Sequence, residues 1–308
     1  MTTMAPTHTF SYPAILEIAE RITWRVEDLV GGDKRLDFAR PFLPESLARV
    51  EALEFLTAAE KRALNHIRAN GYLHVFGLVE EFIVPFVLKH VERDLRGESY
   101  RVRSFLEFAA EEAKHIHLFR RFKEDFDRGF GTRCELIGPS EAIGEAVLAH
   151  HPLAVALTIL HIEWMSQRHY VDSVSGSEAL DPQFKSLLKH HWMEEAQHAK
   201  LDTFMVEDLA AGLTPAEVAR AVDEYLEIGA FLDAGFQRQV EYDVASLERA
   251  SGVALSPAER EQLRTVQRQA LRWTYLGSGM THPNFLKTLG HLGPEHRRRI
   301  EAISPTFS

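Results

Sequence analysis

The sequence HHWMEEAQHAK, residues 190–200, places three histidines and two glutamates in one short run. Successive residues of an α-helix are rotated by about 100°, so positions four and three apart share one face. His191, Glu195 and His198 have this spacing and would project together from a single helix. Three such side chains indicate a metal site, although a solvated polar face would have a similar composition.

A second copy of the pattern lies upstream, in FAAEEAKHIHLF, residues 108–119. An offset of 83 positions relates three pairs of residues, namely Glu112 and Glu195, His115 and His198, and Glu80 and Glu163. Each half therefore supplies a lone glutamate followed, 31 positions later, by Glu-Glu-Ala-x-His. The duplication is far more specific than one Glu-x-x-His motif.

Glu80 and Glu163 both lie on apolar helix faces, where an unpaired carboxylate is costly unless it is protonated, paired or bound to metal. One glutamate from each of two helices and Glu-x-x-His from each of two others form the dinuclear site of ferritin-like bundles. The sequence therefore resembles the ferritin-like di-iron carboxylate proteins over about residues 58–211. We expect an all-α fold, a ferritin-like four-helix bundle with additional N- and C-terminal helices, in a single domain covering 1–308.

Helix-start signals support this class. TAAE at 57–60, TPAE at 214–217 and SPAE at 256–259 are capping-box patterns, and DP at 181–182 and HP at 151–152 predict further helix starts. The four bundle helices are predicted at about 58–95, 99–128, 152–175 and 182–211. Accessory helices are predicted at about 13–30, 44–54, 215–248 and 257–277, with short pieces and turns from about 279.

The first lone glutamate needs a choice, because Glu80 and Glu81 are adjacent. Glu81 shares a more polar face, and the 83-residue offset pairs it with Trp164, which is no ligand. Both observations favour Glu80. Pro85 leaves the carbonyl of Glu81 without its helical donor, so a local distortion could still turn either carboxylate inward.

The two halves differ at one position on the ligand face, where His191 of the second half corresponds to Phe108 of the first. His191 is either a third histidine ligand, for the metal nearer His198, or a buried histidine that supports the site. A histidine-rich set of this kind resembles the p-aminobenzoate N-oxygenase (AurF-like) family. The residues that match that family's ligand pattern are Glu80, Glu112, His115, Glu163, His191, Glu195 and His198.

The resemblance implies a di-iron oxygenase, an oxidoreductase that activates O2 to oxidise a small molecule, such as an arylamine to a hydroxylamine or nitro product. Two iron ions are the implied cofactor, manganese also suits the donors, and the external electron donor is unknown. Two other functions stay open: a non-catalytic, ferritin-like iron-handling protein, and a metal-dependent hydrolase on the same bundle. A reductase partner and a homodimer are compatible with the resemblance.

Residues beside the ligands have expected roles. Each ligand histidine needs an acceptor for its second ring nitrogen, and Glu111 could serve His198 while Glu194 serves His115. The alternative for both glutamates is an exposed helix flank. Tyr170, seven positions after Glu163, is expected on the ligand face, as a pocket or electron-carrying residue or as ordinary core.

Composition limits the other classes of function. The 308 residues carry a formal charge of −10, which disfavours binding to nucleic acid. The single cysteine, Cys134, excludes a disulfide framework and fits a reducing cytoplasm. No signal peptide is recognised in residues 1–20, and the most apolar runs are shorter than a membrane span. We expect a cytoplasmic protein with a small-molecule substrate.

Overall fold

The structure is a computed structural model that describes residues 9–307. Within this range the chain is helical, and its only extended pairing is an isolated bridge between Gly31 and Lys34. The interpretation that no signal peptide is present concerns residues 1–8 in part, and these lie outside the described range. The helices are α1 Tyr12–Ala19, α2 Val26–Leu29, α3 Glu45–Ala48, α4 Ala58–Glu92, α5 Ser99–Phe130, α6 Ser140–Leu148, α7 Pro152–Arg168, α8 Pro182–Ala211, α9 Pro215–Ser251, α10 Pro257–Arg272, α11 Ser278–Met280, α12 Pro283–Leu292 and α13 Pro294–Ile303.

The four central helices form the four-helix bundle that the repeat predicts. Helix α4 packs along α5, and α7 packs along α8. Helix α9 covers α7 and α4, α6 lies against α4, and α1 lies against α5 and α8. Helix α10 lies on α9. The accessory helices therefore cover a bundle whose own helices carry the chemistry.

The predicted helix starts are confirmed. Thr57, Thr214 and Ser256 each accept a hydrogen bond from the backbone N–H three residues later. The glutamate at that third position bonds back to the backbone N–H of the capping residue, which completes each capping box. At the start of α8, Asp181 accepts from the Phe184 N–H at 2.6 Å. These caps fix where the bundle helices enter the core.

Several predicted boundaries are wrong at the accessory elements. The helix expected at 13–30 is split into α1 and α2, because Arg25 is extended with φ −122° and ψ 146°. The helix expected at 44–54 ends at Ala48, since the Glu45 carboxylate takes the N–H groups of Val50 and Glu51. Helix α6 has no counterpart in the sequence prediction.

Two predicted helices end in wider turns. The segments His169–Val174 and Trp273–Gly277 are π-helical and follow α7 and α10 directly. A π-helix rotates each side chain less than an α-helix does, so faces extrapolated at α-helical spacing fail there. The tail also contains two ten-residue helices, α12 and α13.

Helix α4 is long and apolar enough to cross a membrane by length and composition alone, with a mean hydropathy of 1.5 in its most apolar window. In this structure 61% of that window is buried inside the protein. The helix also holds buried polar side chains, including Asn70 and Glu80. These features are those of a central helix in a helical bundle.

A buried histidine in α7 links this packing to acid sensitivity. His161 is 4% exposed, its Nε2 donates to the Tyr275 carbonyl at 3.1 Å, and its Nδ1 accepts from the Tyr225 hydroxyl at 2.7 Å. Burial lowers the pKa of His161 to about 4. The unfolded chain, with a His pKa of about 6.5, then binds more protons at intermediate pH.

We therefore expect the buried His161 to lower the free energy of unfolding as the pH falls from about 6.5 towards 4. The loss should reach about 3 kcal/mol, because each pKa unit corresponds to about 1.4 kcal/mol. Urea unfolding at pH 7 and pH 4.5 measures it. His161→Gln should show a smaller difference between the two pH values than wild type, whereas exposed His117→Gln should match wild type. If the free energy of unfolding fell by the same amount between pH 7 and pH 4.5 in both variants, His161 would not be the source of the acid sensitivity.

Candidate metal centre

The seven ligand candidates meet between the four bundle helices. Helix α4 supplies one glutamate, α5 a glutamate and a histidine, α7 one glutamate, and α8 a glutamate and two histidines. All seven side chains are at most 3% exposed: Glu80, Glu112, His115, Glu163, His191, Glu195 and His198. The duplicated motif thus converges on one water-excluding region.

One group of four side chains has potential ligand atoms within 4.8 Å of one another, namely Glu80, His115, His191 and Glu195. His191 Nε2 lies 2.9 Å from Glu80 Oε1 and 2.8 Å from Glu195 Oε1. His115 Nδ1 lies 3.1 Å from the same Glu195 oxygen. We call this group position A.

A second group meets the same criterion and contains Glu112, His115, Glu195 and His198. His198 Nδ1 lies 3.0 Å from Glu112 Oε1 and 3.3 Å from Glu195 Oε2. We call this group position B. Because Glu195 and His115 belong to both groups, the two positions are adjacent, and the cluster is able to bind two metal ions.

Glu163 stands beside these groups rather than within either of them. It is hydrogen-bonded to Glu195, and its Oε2 is buried without a hydrogen-bond partner. Burial, with the negative charge of Glu195 and Glu112, raises the pKa of Glu163 well above its usual value. Glu163 is therefore a carboxyl group at the edge of the cluster whose protonated form is favoured by burial and by its glutamate neighbours.

The donors fit a pair of bound metal ions. The buried atoms without a hydrogen-bond partner include Glu80 Oε2, both carboxylate oxygens of Glu112, Glu163 Oε2 and His115 Nδ1. Buried acceptors left unpaired are costly, so their convergence calls for protons or cations. Carboxylate and imidazole donors without thiolates suit iron or manganese.

The pKa values of the glutamates show which of them hold protons where metal cations would otherwise balance the charge. Burial and then the neighbouring Glu112 raise the pKa of Glu80 to about 8. Glu195 is different: although burial opposes its ionisation, His191 and His198 lower its pKa well below the usual value. The cluster thus mixes protonated and ionised carboxylates, and metal binding would displace protons from it.

Two outer glutamates orient the histidines as the sequence predicts. His115 Nε2 donates to Glu194 Oε2 at 2.8 Å, and His198 Nε2 donates to Glu111 Oε2 at 2.9 Å. Both glutamates are at most 4% exposed, so the exposed-flank alternative is wrong. With Nε2 protonated, each ring presents the Nδ1 lone pair to the cluster.

The structure resolves the orientation of the adjacent glutamates on α4. Glu80 is 2% exposed and reaches His191. Glu81 is exposed and forms an ion pair with Arg120 at 2.7 Å. The helix continues past Pro85 without turning Glu81 inward.

We therefore expect Glu80→Ala to lose at least one metal ion per chain and Glu81→Ala to lose none. The second variant is the matched control, because an exposed ion pair contributes little to stability, about 0–1 kcal/mol. Metal analysis of both purified variants after reconstitution measures the difference. Full loading of Glu80→Ala, or loss of metal from Glu81→Ala, would contradict the assignment.

His191 lies on a different side of the cluster from the one expected. The sequence predicts His191 beside the metal nearer His198, whereas the structure groups His191 with Glu80 and His115. Its ring packs edge-on against Phe76 and Phe119, at centroid distances of 5.4 and 5.0 Å. These contacts from α4 and α5 direct the ring towards position A.

Tyr170 does not share the ligand face. It lies in the π-helical segment after α7, where its ring stacks on Trp192 at 4.5 Å. The changed helical rotation from His169 onward explains the error. The tyrosine associated with the cluster is Tyr72 of α4, whose ring stacks on Phe76 at 4.4 Å. Its hydroxyl is hydrogen-bonded to His169 Nδ1 at 3.1 Å.

Asp202 is a buried acid next to the cluster that the sequence analysis does not include among the candidate ligands. It lies one turn after His198, is 0% exposed, and neither oxygen has a hydrogen-bond partner among the described residues. Burial raises its pKa well above the usual value, against the attraction of His198. The signal in the sequence is the helical 4–3–4 spacing of His191, Glu195, His198 and Asp202.

An apolar cavity of about 310 Å³ lies one layer of side chains away from the cluster. Val79 and Ile162 line it, and these residues directly neighbour Glu80 and Glu163 in the chain. Phe76 lies between the cavity and His191. Arg238, exposed on α9, is the charged residue among those that line it.

Comparison with known proteins reveals structural likeness only. No family model matches the chain, and no curated protein matches it. A variant of an R2-like ligand-binding oxidase with an aerobically reconstituted Fe/Fe cofactor is 14% identical, with a TM-score of 0.45 over 85% of this chain and 93% of that chain. An R2-like ligand-binding oxidase with an aerobically reconstituted Mn/Fe cofactor is 15% identical, with a TM-score of 0.43 over 87% and 92%. At these identities the likeness concerns the helical fold alone.

Proposed function

We propose that this protein is a dinuclear metal oxygenase that uses O2 to oxidise a small, largely apolar molecule. The observation that carries the proposal is the pair of adjacent positions, A and B, which share Glu195 and His115. The proposed ligands are those named in the sequence analysis: Glu80, Glu112, His115, Glu163, His191, Glu195 and His198. Two reduced iron ions held there would supply the electrons for activating O2, with manganese as the alternative metal.

The protein's own residues prepare the site for this chemistry. Glu111 and Glu194 hold the two histidines in the tautomer that ligates through Nδ1. Burial of the whole cluster excludes bulk water, which protects a reactive centre from side reactions. Phe76 and Phe119 fix the ring of His191 between them.

The apolar cavity supports a small-molecule substrate. Its lining is apolar apart from Arg238, and at about 310 Å³ it exceeds the roughly 150 Å³ of a cavity that accepts benzene. A single aromatic ring would fit there, next to the helix positions of Glu80 and Glu163. An apolar cavity at this place favours oxidation of an organic substrate over storage of iron, which needs a polar route for ions.

We infer further that an arylamine is a substrate class to test first, in line with the p-aminobenzoate N-oxygenase resemblance. Arg238 offers a cation to a ring that carries a carboxylate. The probes are p-aminobenzoate and aniline, added to protein loaded with Fe(II) under reducing conditions and then exposed to O2. Product analysis would detect the hydroxylamine or nitro compound.

The result expected is O2 uptake by the loaded protein together with an oxidised amine. Val79→Phe, which fills the cavity, should abolish oxidation of the amine while metal content stays at the wild-type value. Arg238→Gln should weaken turnover of p-aminobenzoate and leave aniline unaffected. A protein that binds two iron ions but consumes O2 no faster than free Fe(II) would overturn the oxygenase proposal in favour of iron handling or hydrolysis.

A further inference from the structure

The internal repeat is broken at the residue that precedes each motif histidine. Lys114 precedes His115, and at the same offset of 83 positions Gln197 precedes His198. One half therefore carries a cation where the other carries a neutral amide. Both residues lie one position from a proposed ligand, so the difference acts on the metal centre directly.

His115 belongs to both groups, but among the cluster carboxylates its Nδ1 lies nearest, at 3.1 Å, to Glu195 Oε1, the oxygen that His191 of position A also contacts. On this A side, the ammonium of Lys114 is bonded to the outer acceptor of His115. Lys114 Nζ donates to Glu194 Oε1, while Glu194 Oε2 accepts from His115 Nε2. The same ammonium lies 4.1 Å from the ring centroid of Trp24, and the Lys114 side chain is 25% exposed. The fully buried Glu194 carboxylate is thus shared between a lysine and a histidine.

On the B side, the equivalent carboxylate serves the histidine alone. Glu111 Oε2 accepts from His198 Nε2, and within residues 9–307 no lysine or arginine forms an ion pair with Glu111. Gln197 is turned to another partner, since its Oε1 accepts from Lys200 Nζ at 3.0 Å. Glu111 therefore accepts from His198 without sharing its carboxylate with a described lysine or arginine.

This difference changes what each position offers a metal ion. A carboxylate that accepts from a ligating histidine increases the donor strength of the ring. A lysine bonded to the same carboxylate reduces this gain in the donor strength of the ring. Its positive charge also repels a metal cation bound nearby. The two groups otherwise have the same composition, two glutamates and two histidines each, so Lys114 is the charge that distinguishes their surroundings.

We propose that Lys114 is a positioning residue that makes the two metal positions unequal, so that position B fills first and position A binds its ion more weakly. The inference rests on the proposed dinuclear function. It explains why a duplicated site carries an unduplicated lysine whose ammonium, among residues 9–307, is held by Glu194 and the Trp24 ring. Ordered filling would give the centre two electronically distinct ions.

The test is a calorimetric titration of metal-free protein with Mn²⁺ under anaerobic conditions. Wild type should show two binding constants that differ by about tenfold or more, in the range expected for outer partners of a ligand histidine. Glu80 belongs to position A alone. Glu80→Ala should therefore abolish the weaker binding step, which would assign that step to position A. Lys114→Gln should raise the affinity of the weaker position for Mn²⁺ towards that of the stronger position. Lys114→Arg should behave as wild type.

The reciprocal variant provides an independent check. Gln197→Lys places a cation beside Glu111 and should lower the affinity of the stronger position for Mn²⁺. Thermal unfolding of each metal-free variant reports folding separately from binding. Unchanged constants in both Lys114→Gln and Gln197→Lys, or two equal constants in wild type, would overturn the inference while leaving the dinuclear function intact. A wild-type protein that takes up no Mn²⁺ would overturn both.

Discussion

Replacing Glu195 with alanine is expected to remove both metal ions from the protein. Glu195 is the carboxylate common to positions A and B, with Oε1 directed at His191 and His115 and Oε2 at His198. No described carboxylate stands in a place to substitute for both oxygens at once. Loss of this one side chain should therefore reduce the metal content from two ions per chain to nearly none, together with all O2 uptake.

Metal analysis and an oxygen electrode measure this effect on protein reconstituted with Fe(II). Glu81→Ala is the control, because Glu81 is exposed and pairs with Arg120 outside the cluster. Circular dichroism should show the same helical content in both variants. A Glu195→Ala protein that keeps two tightly bound ions would contradict the placement of Glu195 between the two positions.

Removal of the His191 imidazole is expected to have the second largest effect. His191→Ala should fold and keep the ion at position B, where Glu112 and His198 remain. It should lose affinity at position A by more than the roughly 10–100-fold typical of an outer partner, because a direct donor is removed. Oxygen chemistry should be lost with the second ion.

The adjacent variant His190→Ala is the matched control. His190 Nδ1 is bonded to the Ser186 carbonyl at 2.7 Å, and His190 belongs to neither of the two groups of ligand atoms. A purely structural role for His191 predicts lower thermal stability with full metal loading and normal reaction with O2. That outcome would remove the main sequence argument for the N-oxygenase resemblance.

The bundle and its centre could be predicted because they depend on periodicity. The offset of 83 positions brings equivalent residues to equivalent places in two helix pairs. The same offset and the more apolar helix face favour Glu80 over Glu81, and the structure decides the choice that Pro85 leaves open. The outer bonds from Glu111 and Glu194 follow from the same geometry, since each precedes a ligand glutamate and faces the opposite half. Local rules were sufficient wherever the helices stayed regular.

Other features depend on tertiary packing that no local pattern contains. The side of the cluster that His191 joins is set by Phe76 and Phe119 from two other helices. Tyr170 was misplaced because α7 becomes π-helical at His169. The pairing of Lys114 with Glu194 joins α5 to α8 across the bundle, so a sequence read one helix at a time does not reveal it.

The most direct test of the dinuclear centre is the number of metal ions that the wild-type chain binds. Metal-free protein should be reconstituted anaerobically with Fe(II), freed of excess metal by desalting, and analysed for iron and protein concentration. Positions A and B predict two iron ions per chain. A value of one, or of none, after reconstitution of the folded protein would contradict the dinuclear centre.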